Sequence, residues 1–130
     1  MSEAARQGLD GLLGIMDTLL GENGCPWDKE QTHQSLNPCL TEECQELLDA
    51  IDSGDVGALR EELGDVLLQV VFHAKLAERA GAFNMDDVVG SLSEKLVRRH
   101  THIFAGDKAA TPEEAIELWN KNKKKERPHT

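Results

Sequence analysis

Apolar residues recur along this chain with the period of a helix, and no segment alternates apolar and polar residues as a strand would. Leu9, Leu12, Leu13, Met16, Leu19 and Leu20 form one stripe, which predicts a first helix ending near Gly21 or Gly24. The next stretch, Gly24-Cys25-Pro26-Trp27-Asp28-Lys29-Glu30-Gln31, is rich in loop formers and is expected to be a loop. Its Trp27 either covers an edge of the core or belongs to a surface that contacts ligand. Thr32 suits the cap of a helical turn, and Pro38 marks the start of the second main helix or a kink just before it. Within that helix Leu40, Cys44, Leu47, Leu48 and Ile51 make an apolar stripe, while Glu43, Glu46 and Ala50 lie along a neighbouring face. The pattern predicts a core side and an acidic side.

Asp52-Ser53-Gly54-Asp55 ends this helix, and so short a break makes the next helix its antiparallel neighbour. The third helix is predicted over Val56 to Ala80, stopping at Gly81, with Val66 to Phe72 apolar on nearly every side. A helix buried all round needs cover on two faces, and in a short chain the second cover is expected to be another subunit. Asn84 or Asp86 caps a fourth helix, with Val88, Val89, Leu92 and Leu96 expected to face inward. Its last turns run from Lys95 to His102. Thr111-Pro112-Glu113-Glu114 starts a final helix, which carries Ile116, Leu118 and Trp119 into Lys121, Lys123, Lys124 and Lys125 and frays beyond Glu126. There is no internal repeat. The fold class is all-α, a bundle of four or five helices in one domain spanning 1–130, with a core over about 9–125 and a basic C-terminal tail at 121–130.

The candidate chemistry sits between the second and third helices. Glu43 and Glu46 stand three apart on one helix, and Glu62 and Asp65 stand three apart on the other. A Glu-rich run is commonly a solvated face. Here the second pair follows on the antiparallel neighbour, and Leu63, Val66 and Leu67 surround it with positions expected in the core, where unpaired carboxylates are costly. A hard divalent cation between the four removes that cost, because Mg²⁺ and Mn²⁺ prefer oxygen ligands. Further on, Lys95, Arg98 and Arg99 share one side of their helix at i, i+3 and i+4. They either pair with surface acids or, beside a carboxylate-held metal, neutralise a polyphosphate. No Gly-x-x-x-x-Gly-Lys-Ser/Thr loop is present. His73 reads as a satisfied core histidine rather than a ligand. His100 and His102, two apart on a helix, point to different sides, and neither acidic pair has the Glu-x-x-His spacing of diiron bundles.

Charge narrows the partners. A formal net charge of −10 excludes general affinity for nucleic acid or anionic membrane. No apolar run is long enough to span a bilayer, and Met1 to Arg6 lacks the apolar segment of a signal peptide, so a cytoplasmic location is expected. Cys25, Cys39 and Cys44 are odd in number and form no Cys-x-x-Cys pair, which makes them reduced, packed thiols.

These residues together resemble the MazG family of nucleoside triphosphate pyrophosphohydrolases. Glu42-Glu43-x-x-Glu46 followed by Glu62-x-x-Asp65 matches its paired acidic motif, and Gly64 to His73 the helix that follows. Cys25-Pro26-Trp27-Asp28-Lys29-Glu30-Gln31-Thr32 resembles its opening signature, and Lys95-Leu96-x-Arg98-Arg99-His100-x-His102-Ile103-Phe104 its basic segment. The chain differs in resembling one domain where MazG proper often has two, and in carrying Cys39 after Pro38 where an aromatic residue is common. The resemblance implies an all-α, Mg²⁺-dependent enzyme, with Mn²⁺ as a substitute metal, that converts an NTP or dNTP to the monophosphate and pyrophosphate in nucleotide-pool house-cleaning. It also implies a homo-oligomer, a dimer or a dimer of dimers. Glu43, Glu46, Glu62 and Asp65 would be metal ligands, with Glu42 a further ligand or the base that orients water. Lys95, Arg98 and Arg99 would hold phosphates, and Trp119 and Lys123 would contact the nucleotide. The alternatives are a non-catalytic helical module for assembly or nucleotide sensing, and an enzyme dedicated to one modified nucleotide.

Overall fold

The computed structural model describes residues 7–126, and among them every regular element is a helix. In chain order these are α1 (Leu9–Leu20), α2 (Pro26–Glu30), α3 (Asn37–Ser53), α4 (Val56–Arg79), α5 (Met85–Arg99), α6 (Thr101–Phe104) and α7 (Pro112–Lys125). The expected character of Met1 to Arg6, and the fraying beyond Glu126, fall outside the described residues. The chain forms two compact units, the first ending at Met85 and the second beginning at Asp86.

In the first unit α3 packs along α4, and α1 packs on α4 as well. The α3–α4 connection is as short as expected. Gly54 takes the left-handed conformation at φ 72°, which closes α3, and the Asp55 side chain then accepts hydrogen bonds from the Gly57 and Ala58 amides to open α4. Met16, Leu20, Leu36, Val71 and Phe72 are buried. Lys75 is buried beside them and reaches Asp17 of α1 at 2.8 Å and Glu78 at 3.0 Å. Burial opposes its charge, but the bonds to those two acids outweigh it, so its pKa is raised.

The stretch expected as a loop contains α2. Pro26 at the first helical position and Asp28 in the first turn are helix-start signals, and they prevail over the loop-forming composition. Trp27 is 54% exposed and so does not cover the core. Ahead of it the chain turns sharply, with the Cys25 amide donating to the Leu19 carbonyl at 2.8 Å. A Cβ on Gly24 would lie 2.0 Å from that carbonyl oxygen, which only glycine avoids. Thr32 does cap a turn, its hydroxyl and amide exchanging hydrogen bonds with Ser35.

The assignment of faces differs from expectation. Ala50 is buried and Glu43, Glu46 and Leu47 are half-buried, whereas Cys44 is exposed and Leu48 and Ile51 are each 55% exposed. The acidic face of α3 turns inward, and much of the apolar stripe turns outward. Both sets recur at i, i+3, i+4 and i+7, so periodicity alone cannot choose between adjacent faces. On α4, Leu63 is 51% exposed and Leu67 is also exposed, so these residues do not bury the acidic pair.

In the second unit Thr111 caps α7, accepting from the Glu114 amide at 3.2 Å, while Glu114 reaches back to the Ala110 amide. On α5 only Val88 of the expected inward set is half-buried. Val89, Leu92, Leu96 and Val97 are exposed. The run from Lys95 to His102 is not one helix. It breaks at His100 (φ −109°, ψ 57°), which brings the His100 and His102 rings within 5.5 Å of each other.

Substituting Gly24→Ala is expected to destabilise the protein by about 1–3 kcal/mol through overpacking at the Leu19 carbonyl. Urea denaturation followed by circular dichroism measures it, and an unchanged midpoint would contradict the tight corner.

Candidate functional site

Glu43 and Glu46 of α3 face Glu62 and Asp65 of α4, and one carboxylate oxygen from each lies within 4.8 Å of the other three. All four side chains are half-buried. The i, i+3 spacing aligns each pair on its helix, and the short connection through Gly54 brings the pairs opposite one another. Glu43 Oε2 and Glu62 Oε2 are buried with no hydrogen-bond partner among the described residues. Burial raises the pKa of both groups, followed by the neighbouring charges of Glu46 and Asp65. Such an arrangement is uncompensated by the protein itself. Four anionic oxygens, two of them without partners, are the donor set that a hard divalent cation takes, so the residues fit a metal of that class. Glu42, next to Glu43, is exposed and stands outside the four. From the cluster an open groove of about 600 Å³ extends past Asp49, Ala50 and Ser53 to Asp55.

The basic residues lie in the second unit. Lys95, Arg98 and Arg99 line a cleft of about 350 Å³ together with Ser91 and Glu94. Arg98 and Arg99 are not free: Arg98 Nε donates to Glu126 Oε1 at 2.8 Å, and Arg99 makes two parallel bonds to Glu126 at 3.0 and 2.8 Å. Those hydrogen bonds hold the Glu126 carboxyl down at about 2, well below its ordinary value of 4.5. The Arg99 guanidinium also sits 4.9 Å over the Trp119 ring, which His100 meets edge-on. Asn122 donates to the Arg99 carbonyl and the Thr101 hydroxyl, tying α7 to the α5–α6 break. Lys123 is exposed in the last turn of α7. The structure thus brings Lys95, Arg98, Arg99 and Trp119 together.

Three polar residues escaped the sequence reading. Glu126 lies 27 and 28 residues from its arginine partners, beyond any local pattern. Gln69, one turn after Asp65 on α4, is buried with its Oε1 unpartnered among the described residues. Its place in an apolar run was the available signal. His33 pairs with His73 across 40 residues.

The model of the MazG nucleotide pyrophosphohydrolase domain matches residues 31–104, a stretch that contains all four converging carboxylates and the three basic cleft residues. The chain is 50% identical over 116 residues to the nucleoside triphosphate pyrophosphohydrolase/pyrophosphatase MazG of Thermotoga maritima, covering 89% of this chain and 44% of that protein. It is 48% identical over 120 residues to the nucleoside triphosphate pyrophosphohydrolase of Escherichia coli (strain K12), covering 92% and 46%. It therefore spans a little under half the length of these relatives. A crystal structure of a mazG-related protein from Thermotoga maritima is similar with a TM-score of 0.72 at 29% identity, over 87% of this chain and 96% of that one. With the family model covering more than half the sequence and the acidic helix pair inside it, this chain belongs to the MazG nucleotide pyrophosphohydrolase domain family.

Proposed function

We propose that this protein hydrolyses nucleoside triphosphates or their deoxy forms to the monophosphate and pyrophosphate, with Mg²⁺ as its metal and Mn²⁺ able to replace it. The observation that carries the reading is the convergence of four carboxylates, two with orphaned buried oxygens, in a chain of this family. The activity is that of the relatives' names, and house-cleaning of the nucleotide pool in the cytoplasm is the role it suits. No helix among the described residues is long and apolar enough to cross a membrane.

In this reading Glu43, Glu46, Glu62 and Asp65 hold the cation. When bound, it lowers the pKa of water and offsets charge on the attacking and leaving oxygens. Water attacks the α-phosphorus, a new P–O bond forms, and the bond to the bridging oxygen breaks as pyrophosphate leaves. Glu42, the exposed neighbour of Glu43, accepts the proton of that water or orients it in this reading. Lys95, Arg98 and Arg99 neutralise phosphate oxygens, and Trp119 and Lys123 make further nucleotide contacts. The exposed apolar side chains Leu48, Ile51 and Leu63 on the first unit, and Leu92 and Val97 on the second, support assembly into a homo-oligomer.

Glu46→Ala and Asp65→Ala should each lower pyrophosphate release from an NTP and dNTP panel about a hundredfold or more while helical circular dichroism is retained. Full activity in either variant would refute the site, and no activity in the unaltered protein would favour the non-catalytic module. The pKa shifts of Glu43 and Glu62 set a second expectation. Both are raised above 4.5, so the folded metal-free protein binds more protons than the unfolded chain just above that value. The contribution of these groups to stability therefore falls as pH rises through this window. Added Mg²⁺ should restore stability at neutral pH, seen as a higher melting temperature with metal that disappears in Glu46→Ala. Sedimentation at micromolar concentration should give a dimer or larger species, and monomer alone would contradict the assembly.

A further inference from the structure

His33 and His73 meet with their Nδ1 atoms 2.7 Å apart. Their ring planes differ by only 7°, with centroids 4.9 Å apart. That separation is close to the N···N distance plus the two ring radii, so the imidazoles lie nearly in one plane, head to head. In this geometry one Nδ1–H donates to the other's Nδ1 lone pair. A second proton has no place between them. A metal held about 2.0–2.1 Å from each nitrogen at a tetrahedral angle would spread them wider than they are.

The two rings differ in surroundings. His33 is exposed, in the turn that Thr32 and Ser35 close and that runs through buried Leu36 into α3. His73 is half-buried on α4, and its Nε2 is buried without a hydrogen-bond partner among the described residues. Burial, followed by the charge of His33, lowers the His73 pKa. The charged side chains of the neighbouring elements are engaged or distant in register. Asp17 of α1 is bonded to Lys75, and Glu43 and Glu46 of α3 converge on Glu62 and Asp65, two turns or more before His73. On α2, Lys29 is bonded to the Glu22 carbonyl, and Asp28 and Glu30 precede the turn. Beyond burial, the charge that bears on His73 is that of His33.

We propose that His33 and His73 form a one-proton latch, which ties the turn ahead of α3 to α4 while a single proton lies between the Nδ1 atoms and opens when both imidazoles are charged. A first added proton on the outer nitrogen of the donor imidazole leaves the Nδ1–Nδ1 bond in place and makes it charge-assisted. The second removes the Nδ1 lone pair of His73 and sets two cations edge to edge. Below the ordinary histidine value of 6.5 the open form therefore carries one proton more than the closed form. Because the His73 pKa in the closed form is lowered, the latch is intact above 6.5 and weakens as pH falls towards that lowered value. Since α3 begins at Asn37, the latch sets how the helix bearing Glu43 and Glu46 starts against α4.

Amide hydrogen exchange, corrected for intrinsic rates, tests this between about pH 7.5 and about pH 5. The reporting amides are those of Leu36 and Asn37, bonded to the Thr32 and Gln34 carbonyls. Their protection should fall by about tenfold per pH unit below 6.5 while that of the α4 interior holds. In His33→Gln, whose side-chain amide donates to neutral His73 Nδ1 and, turned over, accepts from charged His73 through Oε1, the tie survives protonation and the slope should flatten. Constant protection in the unaltered protein, or the same slope in His33→Gln, would overturn the latch. Nitrogen-15 spectra of the unaltered protein give a readout independent of any variant. One ring protonated at Nδ1 and the other at Nε2 is expected at neutral pH, and two Nε2–H rings titrating independently would also overturn it.

Discussion

The inward turn of four carboxylates between α3 and α4 is the constraint to which the rest of the first unit responds. Burial in this seam, followed by the charges of Glu46 and Asp65, raises the pKa of Glu43 and Glu62, and one oxygen of each finds no donor among the described residues. The helices stay together because the rest of the unit resists their separation. A short connection with a left-handed glycine and an Asp cap holds one end. Along α4 the far end is held by buried apolar residues and by Lys75, which reaches across to Asp17. Such pre-organisation suits a cation site, since the four carboxylates are already gathered in the folded chain.

The second unit treats charge in the opposite way. Its arginines meet a carboxylate of their own, Glu126, whose two oxygens take three hydrogen bonds. Trp119 lies under the Arg99 guanidinium, and Asn122 fastens the backbone beside it. The planar guanidinium is thereby fixed in place. Lys95, half-buried in the same cleft, is the more adaptable cation of the set.

Much apolar surface on α3, α4 and α5 is left outward. A single chain of this size cannot cover both the acidic seam and every apolar stripe, because a helix that turns one face in must turn the neighbouring face out. Here the acidic cluster takes the inner position on α3, and the exposure of Leu48 and Ile51 is the consequence. The proposed assembly answers that exposure. Polar ties such as the His33–His73 pair then matter more than their number suggests, since they hold segments that burial alone secures less firmly.

The sequence by itself determined the helical class, most of the helix boundaries and the four carboxylates. These depend on short-range signals: the 3.6-residue period, Gly54 with Asp55, Thr111 with Pro112, and the i, i+3 spacing of the acids. It also read the chemistry of Lys95, Arg98 and Arg99 as residue types. Only the tertiary structure decided which face of α3 turns inward, because two adjacent stripes share the same period and the choice depends on α4. Only it showed that Pro26 and Asp28 start a helix, that the run through His100 breaks, and that Glu126 and His33 are partners of residues dozens of positions away. Pairings at that separation are set by how the chain folds back on itself, and no local pattern of hydrophobic and polar positions encodes them.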